Sequence, residues 1–445
     1  MGSIGSGSQH TALRADYDLE DEDRFFISGV EKAGAKRNTY EVALKRRKLL
    51  VGLGIGIGVV GLVALILGLA YGLSRRKLDY VCPRTYEPGK TDLVFFVVGD
   101  WGRAGNDNQR RTARLMADVA SCMPPAFIIS TGDNFYPSGI RSVDDVQFDT
   151  SFRNVYTAQG LQVPWYVVMG NHDYGDAVDV SQLSSGQCLA APTSAEQCAG
   201  KCCYSPWWQT QPGFQARDTR WNASMGGVVT RAITLPPDSA TGAARRLDLI
   251  MVDTTPIIYQ YAGASWAGFL NGFNAQDGDA IKEAIQQHLN ASYANGSAAA
   301  AGGSGGGGGG GGSSWRLVVG HHPVRSYGRH CMQPDAYDCD DMMFLRPWLK
   351  KYRVAAYING HEHDQQLIKS SDDPVHYITS GAGSDTRKGE FDGLDMDTRT
   401  RDALFLSDTQ GFVAVVLSGS QMKVHFYTTE QSGPTYTRVI PQPSW

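Results

Sequence analysis

Residues 93–102 read Leu-Val-Phe-Phe-Val-Val-Gly-Asp-Trp-Gly. Six apolar residues without a polar interruption predict a strand buried on both faces, as in sheets covered on either side by other layers. The glycine ends the run, and the carboxylate of Asp100 follows at once. The same grammar returns four times further along the chain. Gly132-Asp133-Asn134-Phe135-Tyr136 follows residues 126–129, and Gly170-Asn171-His172-Asp173 follows 165–169. Gly320-His321-His322-Pro323 follows 317–319, and Gly360-His361-Glu362-His363 follows 354–358. Oxygen and nitrogen donors thus recur just past the C-terminal ends of strands, where α/β sheets place their chemistry.

Working outward, residues 106–120 carry arginines on one side and Ala113, Met116, Ala117 and Ala120 on the other, the pattern of an amphipathic helix. Residues 146–156, 279–289 and 342–351 are further helix candidates, the last bent or interrupted at Pro347. Near the end, 412–417 and 422–428 are joined by Ser418-Gly419-Ser420-Gln421, a hairpin signal. Strand–helix alternation that gives way to hairpins predicts an α/β fold: a sandwich of two mixed β-sheets packed face to face and flanked by helices.

The N-terminal part has a different character. The chain of 445 residues has a formal charge of −4, so nothing in it suggests a nucleic-acid footprint. The acidic stretch 16–23 and the basic Lys45-Arg46-Arg47-Lys48 precede 25 residues, 49–73, without a single charge. As a helix these span about 37 Å, enough to cross a bilayer core with some tilt. A charged lead of 48 residues is too long for a cleaved signal peptide, so one uncleaved transmembrane anchor is expected before the strand-rich C-terminal part. Gly52/Gly56 and Gly54/Gly58 have the spacing of close helix–helix contacts, which makes a homodimer through this helix conceivable. All eight cysteines and the three sequons at Asn222, Asn290 and Asn295 lie after it. They favour a type II arrangement, with the C-terminal part outside the cell or in a lumen of the secretory or endolysosomal system.

The expected organisation is a disordered cytosolic tail over 1–48, the anchor over 49–73, a stalk over 74–90 and an α/β domain over 91–440. Two segments look inserted in that domain. Residues 184–215 are cysteine-rich, and the cysteine spacing suits a disulfide-pinned surface loop better than a zinc site. Residues 296–314 are alanine and then glycine, a flexible linker.

Seven side chains in the five cassettes have metal-ligand character: Asp100, Asp133, Tyr136, Asn171, His321, His361 and His363. Carboxylate and phenolate oxygens suit a trivalent iron, while imidazoles and an amide oxygen suit a divalent ion. One carboxylate shared between two cations would let seven side chains hold a pair ~3.5–4 Å apart. Any one cassette is common; five, each behind a strand, are not.

These blocks, together with 163–167, Arg220-Trp221-Asn222 and Ser380-Gly381-Ala382-Gly383, resemble the calcineurin-like metallophosphoesterases. More narrowly they are similar to the purple acid phosphatases of the small tartrate-resistant type, over nearly all of 91–430. The resemblance implies a metallophosphoesterase-type sandwich and hydrolysis of phosphate monoesters at acid pH. It implies Fe(III) on Asp100, Tyr136 and His363, a divalent Fe, Zn or Mn on Asn171, His321 and His361, and Asp133 between them. Tyr136, deprotonated by ferric iron, would give the family its colour. A hydroxide made available by the cations would attack phosphorus in line. His172 would contact the phosphate or protonate the leaving oxygen, with His330 a second candidate acid. His322 is expected to line the pocket and Glu362 to point away from the metals. The loop after Asp253-Thr254 lacks the cysteine that mammalian-type enzymes carry there, so Cys331 needs another partner, with Cys339 nearby. Two alternatives stand beside this reading: a divalent-metal phosphodiesterase or nucleotidase, and a non-catalytic surface binding protein on the same fold.

Overall fold

The computed structural model describes residues 92–444 apart from 179–182, 184–194, 199–202, 236, 238–244, 302–312, 334–336 and 395–400. The tail, the 49–73 anchor and the stalk lie outside the described residues, as do parts of the 184–215 insertion and most of 296–314. Among the described residues no helix is long and apolar enough to cross a membrane.

The alternation of side chains along the first strand, β1 (Leu93–Val98), explains the layering. Val94, Phe96 and Val98 enter one apolar core, while Phe95 and Val97 enter another on the opposite face. A strand that feeds two cores must be apolar at every position, which is how this one reads. Each fully buried Phe or Val here contributes roughly 1.5–3 kcal/mol relative to exposure.

The next strands in sequence are β2 (Phe127–Ser130), β3 (Trp165–Val167), β4 (Trp221–Ala223), β5 (Val228–Leu235), β6 (Arg245–Val252) and β7 (Ser313–Val319). They are followed by β8 (Ala356–Asn359), β9 (Gln365–Ile368), β10 (His376–Ser380), β11 (Ala403–Ser407), β12 (Gly411–Ser418), β13 (Gln421–Thr428) and β14 (Pro434–Pro441). Sheet one runs β14-β13-β12-β1-β2-β3-β4 and sheet two β11-β9-β10-β8-β7-β6-β5. Both are mixed. In sheet one β1 to β4 are parallel and β12 to β14 add antiparallel neighbours. In sheet two β6, β7, β8 and β10 are parallel, with antiparallel strands outside them.

The sheets share one core. Phe95, Val97 and Ile129 of sheet one meet Leu249, Leu317 and Ile358 of sheet two. Helix α1 (Asp107–Cys122), capped by the Asn106 side chain on the Gln109 amide, buries Met116 and Val119 on the outer face of sheet one. Helix α2 (Gly278–Ala301) buries Ile281, Ile285 and Leu289 on the outer face of sheet two. The result is the expected sandwich of two mixed sheets with helices outside.

Several local expectations are corrected. Residues 146–156 hold only a short π-helical turn, Phe148–Arg153. The helix expected over 279–289 runs on to Ala301, into the stretch read as linker, because its alanines favour helix. Ser313 and Ser314 pair with Arg245 and Arg246, so the linker ends before them. The segment 342–351 is two helices, α3 (Asp338–Met342) and α4 (Leu345–Lys351). Pro347 does not break α4. It occupies the first turn, where its missing N–H is no loss. The cysteine-rich stretch is less peripheral than expected: Cys203, Ser205 and Phe214 are buried. Cys198 bonds Cys203 and Cys331 bonds Cys339.

Candidate metal centre

All five cassettes end at the same edge of the sandwich. Asp100 follows β1, Asp133 and Tyr136 follow β2, and Asn171 follows β3. His321 follows β7, and His361 and His363 follow β8. The seven residues are buried or nearly so.

They converge as two groups of donor atoms. In the first, Tyr136 Oη lies 3.1 Å from Asp100 Oδ1, 2.8 Å from Asp133 Oδ2 and 2.9 Å from His363 Nε2. In the second, Asn171 Oδ1, His321 Nε2 and His361 Nδ1 are 3.0 to 3.1 Å apart. Asp133 joins both: its Oδ1 is 3.5 Å from His321 Nε2, while its Oδ2 faces Tyr136. Donors bound ~2.1 Å from one ion at right angles lie ~3.0 Å apart, so these spacings are those of two coordination shells with a shared corner.

The backbone is bent to make this possible. Asp100, Asp133 and His361 have φ of 59°, 51° and 68°, in the left-handed region that non-glycine residues avoid. Each such residue costs about 1–3 kcal/mol, and such outliers cluster at functional sites. Gly170 makes room: a Cβ there would sit 2.3 Å from Asp133 Oδ1 and 2.6 Å from its amide nitrogen. Asp173, buried below, accepts from the Gly170 amide at 3.0 Å, the Asn134 side chain at 2.9 Å and Gln209 at 2.7 Å. It ties the second and third cassettes to the end of the cysteine-rich stretch. Trp101, in the first cassette, serves packing rather than chemistry. It is fully buried against Trp165, Trp221 and Tyr156, with its indole N–H on Ser130 Oγ.

The electrostatics call for cations. Burial, then the neighbouring Asp133, pushes the Asp100 carboxyl well above its ordinary range. Burial, then Asp100 and Asp133, likewise pushes the Tyr136 phenol up. Asp133 is held low: burial raises it, but His321 and His172 outweigh that. Burial pushes His321, His361 and His363 down, which favours the imidazole form with a free lone pair. Three acids packed within hydrogen-bond distance are poorly balanced by the guanidiniums of Arg103, 3.7 Å over the Tyr136 ring, and of Arg387. The donor set fits a pair of metal ions.

A cavity of about 360 Å³ opens onto these groups, and its walls include His172, Gln260, Tyr261, Trp266, His330, Asp338 and Arg387. His172 donates its backbone N–H to Asp133 Oδ1 and has Nδ1 2.5 Å from the Pro137 carbonyl. His330 has Nδ1 2.9 Å from Glu362 Oε2, and its ring lies 4.2 Å from that of His361. Glu362 does point away from the donor groups, as expected, yet it is fully buried and holds His330 through both oxygens. His322 is not a wall of the cavity. It is buried behind, its two ring nitrogens facing the Thr254 and Tyr261 hydroxyls. Gln260, Tyr261, Trp266, Asp338 and Arg387 carry no sequence signal of their own; tertiary folding alone brings them here.

The family model that matches, over residues 93–222, is that of the calcineurin-like phosphoesterases. Purple acid phosphatase 3 of Arabidopsis thaliana is 30% identical over 382 residues, covering 83% of this chain and 84% of that protein. Tartrate-resistant acid phosphatase type 5 of Oryctolagus cuniculus is 28% identical over 303 residues, 66% of this chain and 73% of its own. Among solved structures, one titled GAP50 the anchor in the inner membrane complex of Plasmodium shares the fold. Its TM-score is 0.54 at 19% identity, over 80% of this chain and 90% of that one. With a relative of this identity matched over most of both lengths, the chain belongs to the purple acid phosphatases, metallophosphatases built on the calcineurin-like phosphoesterase fold.

Proposed function

We propose that this protein hydrolyses phosphate monoesters at a dinuclear centre. Fe(III) is held by Asp100, Tyr136 and His363, a divalent Fe, Zn or Mn by Asn171, His321 and His361, and Asp133 is shared. One observation carries the reading: the two oxygens of Asp133 face separate donor groups, one phenol- and carboxylate-rich, the other of two imidazoles and an amide. When bound, such a pair offsets phosphate charge and lowers the pKa of a water towards neutrality.

The chain's own residues orient the substrate and handle the proton. With Nδ1–H of His172 engaged by the Pro137 carbonyl, its Nε2 is the nitrogen left to face the phosphate, and it can protonate the leaving oxygen only in the imidazolium form. Glu362 fixes His330 the same way, so its Nε2 is the second nitrogen facing the pocket, and it can give up a proton only from the imidazolium form. Arg387 adds positive charge to the wall, and Tyr261 and Trp266 give the leaving group an aromatic surface.

The test is turnover of a phosphate monoester and of a matched diester by the metal-loaded protein. Expected is a clear monoester preference, and a loss of at least 100-fold in kcat/KM on Asn171→Ala. Equal turnover of the diester would favour a divalent-metal phosphodiesterase. Activity untouched by Asn171→Ala would remove the centre from catalysis.

The domain organisation belongs to the same proposal. Residues 49–73 anchor the chain in type II orientation, and the disulfides of the C-terminal domain fit an oxidising lumen or the cell exterior. Resistance to carbonate extraction, lost on deletion of 49–73, tests the anchor. Loss of a cross-linked dimer on Gly52→Leu/Gly56→Leu tests pairing of that helix.

A further inference from the structure

We propose that Asp338 is a positioning residue for His361, holding its imidazole in the one tautomer that presents Nδ1 to Asn171 and His321. His361 stands between two demands. Its Nδ1 lies 3.1 Å from both Asn171 Oδ1 and His321 Nε2, while its Nε2 lies 2.7 Å from Asp338 Oδ2 on the opposite side. A neutral imidazole carries one proton, and a carboxylate accepts but does not donate. Asp338 therefore keeps that proton on Nε2 and leaves the Nδ1 lone pair pointing into the donor group. The position behind His321 is filled differently: its Nδ1 faces the Thr131 carbonyl at 2.9 Å, a neutral acceptor. At His361, unlike His321, the outer partner is an anion, which strengthens the bond and raises the basicity of the inner nitrogen.

Asp338 is built for the task. It is buried, and its other oxygen accepts from the Gln260 side chain, so both oxygens are committed. It opens α3 beside Cys339, whose disulfide partner Cys331 follows His330, the residue whose ring packs on His361. The same cross-link thus brings two residues against one imidazole. Asp338 comes from none of the five cassettes.

This proposal rests on the metal-centre reading, and the experiment separates the two. Full-length wild type, Asp338→Ala and Asp338→Asn are loaded with iron and zinc. Each is then dialysed against a zinc-buffered chelator series and assayed for both metals. The visible absorption band is recorded in parallel, since it reports the Tyr136 side of the site. Expected for Asp338→Ala is a 10- to 100-fold weaker zinc site with iron content and band unchanged. A smaller loss is expected for Asp338→Asn, whose amide oxygen still accepts from Nε2–H. Zinc affinity within twofold of wild type in Asp338→Ala overturns the proposal. So does joint loss of iron and zinc in both variants, which would make Asp338 a general structural residue. A wild type that takes up no metal would overturn the metal-centre reading and this proposal with it.

Discussion

The two sheets bring different chemistry to one pocket. Sheet one supplies every oxygen donor, Asp100, Asp133, Tyr136 and Asn171, from the ends of β1, β2 and β3. Sheet two supplies every nitrogen donor, His321, His361 and His363, from the ends of β7 and β8. Neither sheet has a complete donor group. Tyr136 and Asp100 meet His363 across the gap, and Asn171 meets His321 and His361. Ions held here would fasten one sheet to the other at the active edge, while the shared apolar core fastens them along their faces. On the proposed function, the metal centre would be an inter-sheet joint as well as a reaction site.

The severest way to break that joint is Asp133, whose two oxygens serve both groups. Asp133→Ala should lose both metals together and lower kcat/KM by at least 10³-fold, as read by metal analysis and turnover. Retention of either metal at full occupancy would separate the groups and end the shared-corner picture. Gly170→Ala tests the same corner sterically: the added Cβ, 2.3 Å from Asp133 Oδ1, should cost occupancy on both sides without replacing a donor residue. Next comes the joint itself. A ligand present at a thousand times its dissociation constant adds about 4 kcal/mol to stability. Stripping the metals should therefore lower Tm by on the order of 10 °C for a domain of this size. Calorimetry of apo and loaded protein checks this, and equal melting points would mean that the core alone joins the sheets.

The smallest expected effect sharpens the contrast within sheet two. His376, at the opposite end of that sheet from the donors, is also buried, but its Nδ1 has no hydrogen-bond partner among the described residues. Burial, then Lys369, pushes its pKa down to about 4. The unfolded chain, with its ordinary value of ~6.5, takes up a proton before the native state does. Stability is therefore complete above pH ~6.5 and falls as pH drops towards 4, by roughly 1–3 kcal/mol. His376→Leu should flatten that acid-side loss in urea titrations at pH 7 and 4.5. A slope identical to wild type would show that this histidine carries none of it.

The sequence carried the donors because each cassette is local: an apolar run, a glycine and a ligand within a few residues. Strand order, layering and the two-sheet division follow from the same runs, since β1 is apolar at every position. What was not legible comes from tertiary contact. Nothing near Asp338 marks it as the partner of His361, 23 residues away. Glu362 is read from the sequence as a spacer between two histidines, and only the fold turns it under His330. The left-handed backbone at Asp100, Asp133 and His361 has no signal in residue type, because the surrounding structure imposes it. The alanines at 298–301, read as the start of a linker, instead end a helix, because alanine favours helix over coil.

The most direct test of two donor groups sharing Asp133 is metal content together with the visible spectrum, in wild type and in Tyr136→Phe. Two ions per chain and a purple band are predicted for wild type, with the band lost in Tyr136→Phe. A wild type that binds two ions and stays colourless would contradict the ferric assignment, and one that binds a single ion would contradict the shared centre itself.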